Sequence, residues 1–459
     1  MRNKKLYGAI LLLSFPALLM MCRKAETPDD SLYDPRLSGG ESTIFDVTSR
    51  AFGHSIPGMD VVEQHMHDLG DAQSDQTFVT APAPVNSGLG PIFNNVSCKS
   101  CHHNDGKGSP TAGLNTSSLL VRLSVPGSDE HGGPVSVPGF GLQLQDRSNF
   151  GKQPEAKVDI TYVDETFTYP DGNTAVLHRP VYKLLNSYKP LPGNLMISAR
   201  MAPPFFGLGL LDLIPEATIK GFAAQQAKEN NGISGKANYV YDPASGKMML
   251  GRYGMKANTA TLLTQVAAAY QQDMGVTSYV FPQESSFGQP QYDGLNDDPE
   301  LPDTILNATV FYIRTLAVPA RRNVTDPQIQ QGEVLFAQTG CASCHIPTIV
   351  TGTDVRFKAL SHQRIHPYTD LLLHDLGEGL SDGRPDFLAD AREWKTPALW
   401  GIGLFEKTNG VPFYLHDGRA RTLEEAVLWH DGEAASSKTQ FTKLSKNDRE
   451  NLILFLRSL

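Results

Sequence analysis

The sequence has no surplus of basic residues and little cysteine. Its 40 Lys and Arg residues are outnumbered by 49 Asp and Glu, which gives a formal net charge of −9. Nothing in this balance points to nucleic acid as a partner, and a mildly acidic surface suits small molecules or basic proteins. A hydrophobic fraction of 40% is ordinary for a soluble globular chain, and 459 residues are enough for two or three domains.

The apolar run near the start of the chain is too short and too poorly flanked for a stable spanning helix. This run, LYGAILLLSFPALLMM at 6–21, follows the basic start MRNKK. Residues 1–22 are therefore predicted to be an export signal, with Cys22 as the lipidated end of a bacterial lipoprotein. A simple cleaved signal or anchor is the alternative, because two methionines precede this cysteine where small residues are usual. The polar residues 23–44 are predicted to be a flexible tether, and the protein is expected in the periplasm or cell envelope, touching the membrane only through a lipid anchor.

Four of the five cysteines form two pairs with the same spacing, and a histidine follows each pair. CKSCH and CASCH are both C-x-x-C-H, the attachment pattern of c-type haem rather than a disulfide framework. The two thiols form thioethers to the haem vinyl groups, and the histidine is held under the iron. A zinc site would not need the histidines, and a redox dithiol would be expected in a βαβ setting that the sequence does not show. We predict two covalently bound haem c groups, attached through Cys98, Cys101, Cys341 and Cys344, with His102 and His345 as proximal ligands.

The two motifs belong to the unequal halves of an internal duplication. A Pro-x-x-x-Gly-x-Gly-Leu segment follows each motif, at 203–210 and at 397–404. Residues 157–184 alternate polar and apolar positions around a PDGN turn, which predicts a β-hairpin or small sheet. Other long segments have helical spacing. The sequence therefore predicts a mainly α fold of two cytochrome c-like helical domains, 45–318 and 327–459, the first enlarged by a small β insertion.

Longer strings carry a resemblance to a known family. GLGPIFNNVSCKSCHHNDGKG, MAPPFFGLGLLDLIPE and VAAAYQQDMGVTS resemble di-haem oxidoreductases that are described as peroxidases or thiol oxidoreductase-like proteins. YTDLLLHDLGEGLSDGR and YLHDGRARTLEEAVLWHDGEA are similar to segments of the bacterial di-haem cytochrome c peroxidases and of the related enzyme that matures methylamine dehydrogenase. The resemblance covers about residues 45–459. It implies an N-terminal haem that meets peroxide or a similar small oxidant, and a C-terminal haem that takes electrons from a donor protein.

The resemblance also implies a carboxylate near the first iron. In the peroxidase relatives, a glutamate on the segment matching GLGLLDLIPE is the acid–base that helps to split the O–O bond. Glu216 is the first candidate for this role and Asp212 the second. Both could instead be helix-start carboxylates that the helix dipole favours. The sequence shows no obvious distal ligand to the first iron. Three methionines could supply one or could instead pack in the core: Met201, Met255 and Met274.

A helix is predicted to begin after Thr422 and to run through LEEAVLWH. In the relatives, the residue about one helix beyond the H-D-G of His416 is the sixth ligand of the second iron: methionine in the peroxidases and tyrosine in the maturation enzyme. Here that distance leads to His430, so the resemblance implies bis-histidine coordination by His345 and His430 and a low potential. The alternative is a histidine that interacts with the helix dipole. The other candidate ligands are then Met255, Met274 and His374.

Three further expectations stay open at this stage. Trp394 and Trp400 flank the second Pro-Gly segment, where they either pack against a haem or relay electrons. Residues 229–240 resemble a turn near which relatives hold calcium, which implies one bound calcium ion. Asn230 and Asn231 stand where the relatives have charged residues, and this weakens the prediction. The alternatives to an enzyme are an electron-transfer cytochrome without catalysis and a haem protein that serves a partner in iron handling.

Overall fold

Short strands and helices alternate along the chain, and the fold is mixed rather than mainly helical. The computed structural model describes residues 34–110, 118–410 and 412–459. The described residues are 31% helical and 21% strand, with the strands in several small sheets. The prediction of a mainly α protein was therefore wrong. The physical reason is that many backbone N–H and C=O groups of the long segments between the helices are satisfied by pairing as strands.

The described residues contain eleven α-helices, several of them only one or two turns long. In chain order they are α1 (Val61–Asp75), α2 (Cys98–Cys101), α3 (Leu208–Asp212), α4 (Glu216–Glu229), α5 (Leu262–Met274), α6 (Asp303–Arg314), α7 (Pro327–Gln338), α8 (Phe405–Asn409), α9 (Leu423–Trp429), α10 (Ala435–Lys443) and α11 (Lys446–Ser458).

Most of the strands pair two by two, and β7, β11 and β6 all pair with β5. In chain order the strands of the described residues are β1 (Thr43–Ile44), β2 (Val79–Thr80), β3 (Ser87–Leu89), β4 (Ile92–Phe93), β5 (Leu119–Ser128), β6 (Pro134–Val135), β7 (Gln143–Leu144), β8 (Arg147–Ser148), β9 (Lys157–Thr168), β10 (Thr174–Leu185), β11 (Met196–Met201), β12 (Tyr239–Asp242), β13 (Lys247–Leu250), β14 (Val318–Pro319), β15 (Ile349–Val350), β16 (Arg364–Ile365), β17 (Leu373–Asp375) and β18 (Glu393–Lys395).

The two longest strands, β9 and β10, form an antiparallel hairpin in the segment where the sequence predicts one. The register pairs Thr168 with Thr174 beside the turn. The Tyr169 N–H donates to the Asn173 carbonyl at 2.8 Å, and Gly172 takes the left-handed conformation (φ 83°) that a tight turn requires.

The internal duplication is visible in the helix packing. Helix α1 precedes the first haem motif and packs on α6, while α7 precedes the second motif and packs on α11. At each crossing, a glycine lets the two helix backbones approach closely. A Cβ atom on Gly70 would lie 2.1 Å from the Ala308 carbonyl oxygen, and one on Gly332 would lie 2.0 Å from that of Asn451. A side chain at either position would force the helices apart.

Residues 35–44, which the sequence placed in the tether, are packed into the fold. Strand β1 pairs in parallel with β14, Thr43 facing Val318, and Ser38 and Ser42 are buried. Contacts join Pro35–Leu459 into one compact unit, so the division into two domains stays a prediction. The predicted signal with Cys22 and the first half of the tether, residues 23–33, lie outside the described residues. No described helix has the length and apolar character needed to cross a membrane.

Candidate haem-binding sites

The first C-x-x-C-H motif forms a single helical turn with its histidine directly behind it. Ser97 caps α2 by accepting a hydrogen bond from the Ser100 N–H at 3.2 Å. The His102 Nδ1–H donates to the Pro203 carbonyl oxygen at 2.6 Å, and its ring stacks on Phe205 at 3.9 Å. The first Pro-Gly segment of the duplication thus supports the histidine, leaving Nε2 as the nitrogen with a free lone pair.

The second motif repeats this arrangement with different supporting residues. Its cysteines lie in and beside a short turn, Cys341–Ser343, that follows α7. The His345 Nδ1–H donates to the Tyr368 carbonyl oxygen at 2.9 Å. As in the first motif, a carbonyl group can only accept, so the tautomer is fixed and Nε2 is left for a metal.

Each motif lies on a cavity. The first cavity has a volume of about 360 Å³ and is lined by Cys98, Cys101 and His102. Helix α5 lies along it with one whole face, which consists of Leu262, Gln265, Val266, Ala269, Tyr270, Asp273 and Met274. This spacing of three and four residues is the apolar face of an amphipathic helix, except that it carries Gln265, Tyr270 and Asp273. The helix therefore offers a mostly apolar wall with a few polar groups, as is usual for a cofactor pocket.

The second cavity, of about 130 Å³, is lined by Cys341, Cys344, His345 and His430. The two cavities adjoin, because both are lined by His345, His430 and Trp394. The Trp394 indole forms part of both walls and stacks on His416 at 3.6 Å with an interplanar angle of 10°.

Burial keeps the thiols and histidines of the motifs uncharged. Burial first, and the charge of Asp273 second, raise the pKa values of Cys98 and Cys101 to about 12. Burial lowers the pKa values of His102 and His345 to about 4. Neutral thiols are poor candidates for a redox dithiol or a zinc site, whereas neutral imidazoles are ready iron ligands.

The structure brings His430 to the second motif. His430 follows the last residue of α9 and donates its Nδ1–H to the Ala426 carbonyl oxygen at 2.7 Å. It lines both cavities together with His345, and burial lowers its pKa. His102, His345 and His430 therefore share one pattern, in which a backbone carbonyl holds Nδ1 and leaves Nε2 for a ligand.

The structure does not bring Glu216 or Asp212 into the first cavity. Glu216 is half exposed and accepts a hydrogen bond from the Tyr239 hydroxyl at 2.8 Å. Asp212 accepts one from the Tyr253 hydroxyl at 2.9 Å, and only the tyrosine lines the cavity. Asp212 is the last residue of α3, whose Leu208 and Leu211 do line the cavity, whereas Glu216 begins α4, which contributes no residue to the cavity wall.

Sequence reasoning missed Asp273. It is the one carboxylate among the described residues that line the first cavity, and its Oδ1 accepts from Gln143 Nε2 at 2.7 Å. Burial raises its pKa. Helical periodicity could have identified it, because Asp273 falls on the same helix face as Leu262, Val266 and Ala269. A carboxylate on an otherwise apolar face is a candidate functional residue.

The other candidates have local partners. His374 lies between two carboxylates, with Nε2 2.9 Å from Asp370 and Nδ1 2.7 Å from Glu433. In the segment expected near calcium, Asn231 accepts from the Ile233 N–H with its side-chain oxygen, so calcium stays a prediction. The three methionines proposed for the first iron all line the first cavity: Met201, Met255 and Met274.

Two adjoining cavities, each with a C-x-x-C-H motif and a supported histidine, define a protein built to hold two haem groups. Comparison with known families agrees, because residues 33–459 match the family described as "Di-haem oxidoreductase, putative peroxidase". The chain belongs to this family, which confirms the resemblance and implies two haem cofactors.

Comparison with individual proteins adds little. A solved structure titled "Crystal structure of a MauG-like protein associated with microbial copper homeostasis" is similar to this chain at 16% sequence identity. The match covers 56% of this chain and 89% of that chain, with a TM-score of 0.28, and a likeness this low carries no argument. The comparison with curated proteins found no match.

Proposed function

We propose that this protein is an exported di-haem c peroxidase in which the first cavity reacts with peroxide and the second transfers electrons. The observation that carries the proposal is the contrast between the cavities. The second has histidines available from two sides, His345 and His430. The first has the motif histidine His102, and its wall formed by α5 carries the carboxylate of Asp273 and no histidine; the other histidines that line it are His416 and the shared His345 and His430.

The residues present fit covalently attached haem. Each motif offers two neutral thiols, and each thiol would add across one haem vinyl group, so that sulfur bonds to one vinyl carbon and the proton goes to the other. When bound, the haem supplies the redox chemistry of the protein. The proximal histidines are oriented in advance by the Pro203 and Tyr368 carbonyl groups, which fixes their tautomers.

The charges around the first cavity fit the two propionates of a haem. Four cationic side chains line it, against the single carboxylate of Asp273: Lys107, Arg122, Arg200 and Lys395. Lys107 and Lys395 donate to the backbone carbonyls of Leu415 and Arg252, and burial lowers their pKa values to about 7 and about 8. A buried cation without an ionic partner is costly, so an anionic occupant would stabilise both ammonium groups.

We assign the acid–base role in the first cavity to Asp273 rather than to Glu216. Gln143 holds one of its carboxylate oxygens, and burial raises its pKa, so it exchanges protons closer to neutral pH than an exposed aspartate does. Its task would be to take the proton from one oxygen of hydrogen peroxide and deliver it to the other, which leaves as water. Complete reduction of hydrogen peroxide to two molecules of water consumes two electrons and two protons; the protons come from solvent, and the electrons come from the bound cofactors and, in turn, from a donor protein.

We further propose that Trp394 carries electrons between the sites. Its indole is shared by both cavity walls and is held by a hydrogen bond from Nε1–H to the Leu380 carbonyl at 2.9 Å. Packing alone would not require one aromatic ring to border both cavities. Export to the periplasm or cell envelope, with an anchor at Cys22, is proposed on the sequence of residues 1–22.

The test is stopped-flow absorption of the fully reduced and the half-reduced protein mixed with hydrogen peroxide. A peroxidase with one open haem should show a high-spin band in one of these states, and peroxide should abolish that band rapidly. Two haems that stay low-spin in both states and do not react with peroxide would instead identify an electron-transfer cytochrome.

A further inference from the structure

The hairpin formed by β9 and β10 lines neither cavity, although it is the largest β element of the described residues. One strand of it packs on α9, the short helix that ends at His430. We propose that this hairpin is a positioning element, which holds α9 so that His430 stays in place at the second haem. The proposal rests on the proposed function, since it takes His430 as the sixth ligand.

Three residues of the hairpin form hydrogen bonds to the segment that leads into His430, and in each bond the hairpin residue is the donor. The Tyr169 hydroxyl donates to Glu424 at 2.7 Å, and the Tyr182 hydroxyl donates to Asp417 at 2.9 Å. Between them, His178 donates to Glu425, with its backbone N–H at 2.7 Å and its Nδ1–H at 3.0 Å. Hydrogen bonds to a charged acceptor are the stronger class.

Two of the three acceptors are buried, so water does not readily replace the contacts made to them. Glu425 is 3% exposed and Asp417 is 1% exposed. Glu425 also accepts from the Arg421 N–H at 2.8 Å, which ties it to the start of α9. Its next neighbour, Ala426, supplies the carbonyl that holds His430 Nδ1. Glu425, which the hairpin contacts, is therefore adjacent in sequence to the residue whose carbonyl orients His430.

Helix α9 needs such support because it is short. Its seven residues, Leu423–Trp429, are far fewer than an isolated helix needs to persist in water. A ligand at the end of a short helix moves whenever the helix frays. A histidine that must remain at one place beside His345 therefore depends on contacts made from outside the helix.

The experiment uses the full-length protein loaded with haem. In His178→Ala the side-chain bond to Glu425 is lost, and the fraction of the second haem without its sixth ligand should rise roughly tenfold, the effect of losing one hydrogen bond to a charged group. Low-temperature electron paramagnetic resonance reports this as loss of one low-spin signal and gain of a high-spin one. The midpoint potential of the second haem should move, while the first haem keeps its signal.

Three variants separate positioning from general stability. His178→Asn places an amide N–H near the position of Nδ1–H and should restore the low-spin signal. Arg179→Ala removes an ion pair with Glu165 inside the hairpin and should leave the second haem unchanged. Tyr182→Phe deletes one hydroxyl, keeps the ring, and should act in the same direction as His178→Ala if the latter folds poorly.

If His430→Ala alters the second haem but His178→Ala and Tyr182→Phe leave its spectrum and potential unchanged, the positioning role is wrong and the ligation stands. If His430→Ala leaves the second haem unchanged, the ligation itself is wrong, and the positioning role falls with it. A change in Arg179→Ala equal to that in His178→Ala would mean that the hairpin acts only through stability.

Discussion

His345 and His430 line the same pair of cavities, and each donates its Nδ1–H to a backbone carbonyl oxygen, that of Tyr368 at 2.9 Å and that of Ala426 at 2.7 Å. The two residues come from different parts of the second half of the chain, one beside a cysteine pair and one at the end of α9. Their shared tautomer leaves the Nε2 lone pair of each residue available to a metal.

The first prediction follows from this pair. His430→Ala should convert the second haem from low-spin to high-spin, because its sixth ligand is removed, and should leave the first haem unchanged. Low-temperature electron paramagnetic resonance of the oxidised protein measures this directly. His131→Ala is the matched control, since His131 stacks on Tyr241 in contact with solvent. Unchanged spectra and potentials in His430→Ala would show that His430 is not an iron ligand and only caps the helix.

The second prediction concerns the carboxylate of the first cavity. Asp273→Asn should slow the reaction with hydrogen peroxide by roughly 10²-fold or more while haem content stays at two per chain, because an amide cannot accept the peroxide proton. Stopped-flow absorption gives the rate. Glu216→Gln is the control, and it should react at the wild-type rate because Glu216 is half exposed and outside the cavity.

The pH profile gives a second check on the same residue. The ionised carboxylate is the base, so the wild-type rate should rise with pH through the Asp273 pKa, which burial has raised. Asp273→Asn should lose this limb of the profile. A rate that falls in Glu216→Gln and not in Asp273→Asn would return the role to Glu216.

The third prediction concerns covalent attachment. A pyridine haemochrome assay should count two c-type haems per chain, and acid–acetone extraction should leave the colour with the protein. Replacing both Cys341 and Cys344 by alanine should leave one covalent haem. Free haem in the extract of the wild-type protein would contradict thioether attachment.

The fourth prediction concerns the buried cluster beside the second motif. Burial opposes the charge of His374, but its hydrogen bonds to the carboxylates of Asp370 and Glu433 outweigh burial and raise its pKa to about 12, above the value of 6.5 in the unfolded chain. The stabilising effect of its charge is therefore complete below about pH 6.5 and decreases as the pH rises toward 12. The free energy of unfolding that His374→Gln removes should thus be smaller at pH 8 than at pH 6, by about 2 kcal/mol.

Denaturant unfolding of the haem-loaded protein at the two pH values provides the measurement. His131→Gln serves as the control, because its side chain is partly exposed. A loss that grows from pH 6 to pH 8 would show that His374 is neutral in the folded protein.

Much of the site could be predicted from the sequence because its signals are local. C-x-x-C-H places two thiols and a ligand within five residues, so CKSCH and CASCH carry their chemistry wherever the fold puts them. The hairpin was equally readable, because alternation and the turn sequence are properties of one segment. His430 was predicted from its sequence separation from the recognisable H-D-G of His416, and the structure places it beside the second motif.

Other features depended on which surfaces meet. Glu216 and Asp273 are both carboxylates at helix ends, and only the packing of α5 along the cavity, with α4 turned away, separates them. The mixed fold was also missed, because two-residue strands such as β1 and β14 are defined by a partner some 270 residues away, Thr43 beside Val318, and not by a pattern of their own.

The sequence by itself determined that this protein belongs with two-haem proteins, and it predicted which residues attach and ligate the haems, because C-x-x-C-H attachment needs only a short fixed spacing. The tertiary structure alone decided that the two sites adjoin at Trp394, that Asp273 lines the first cavity, and that His178 reaches Glu425 from a distant insertion. These relationships join residues far apart in the chain. They arise when apolar faces pack and buried polar groups find partners, which no single segment encodes.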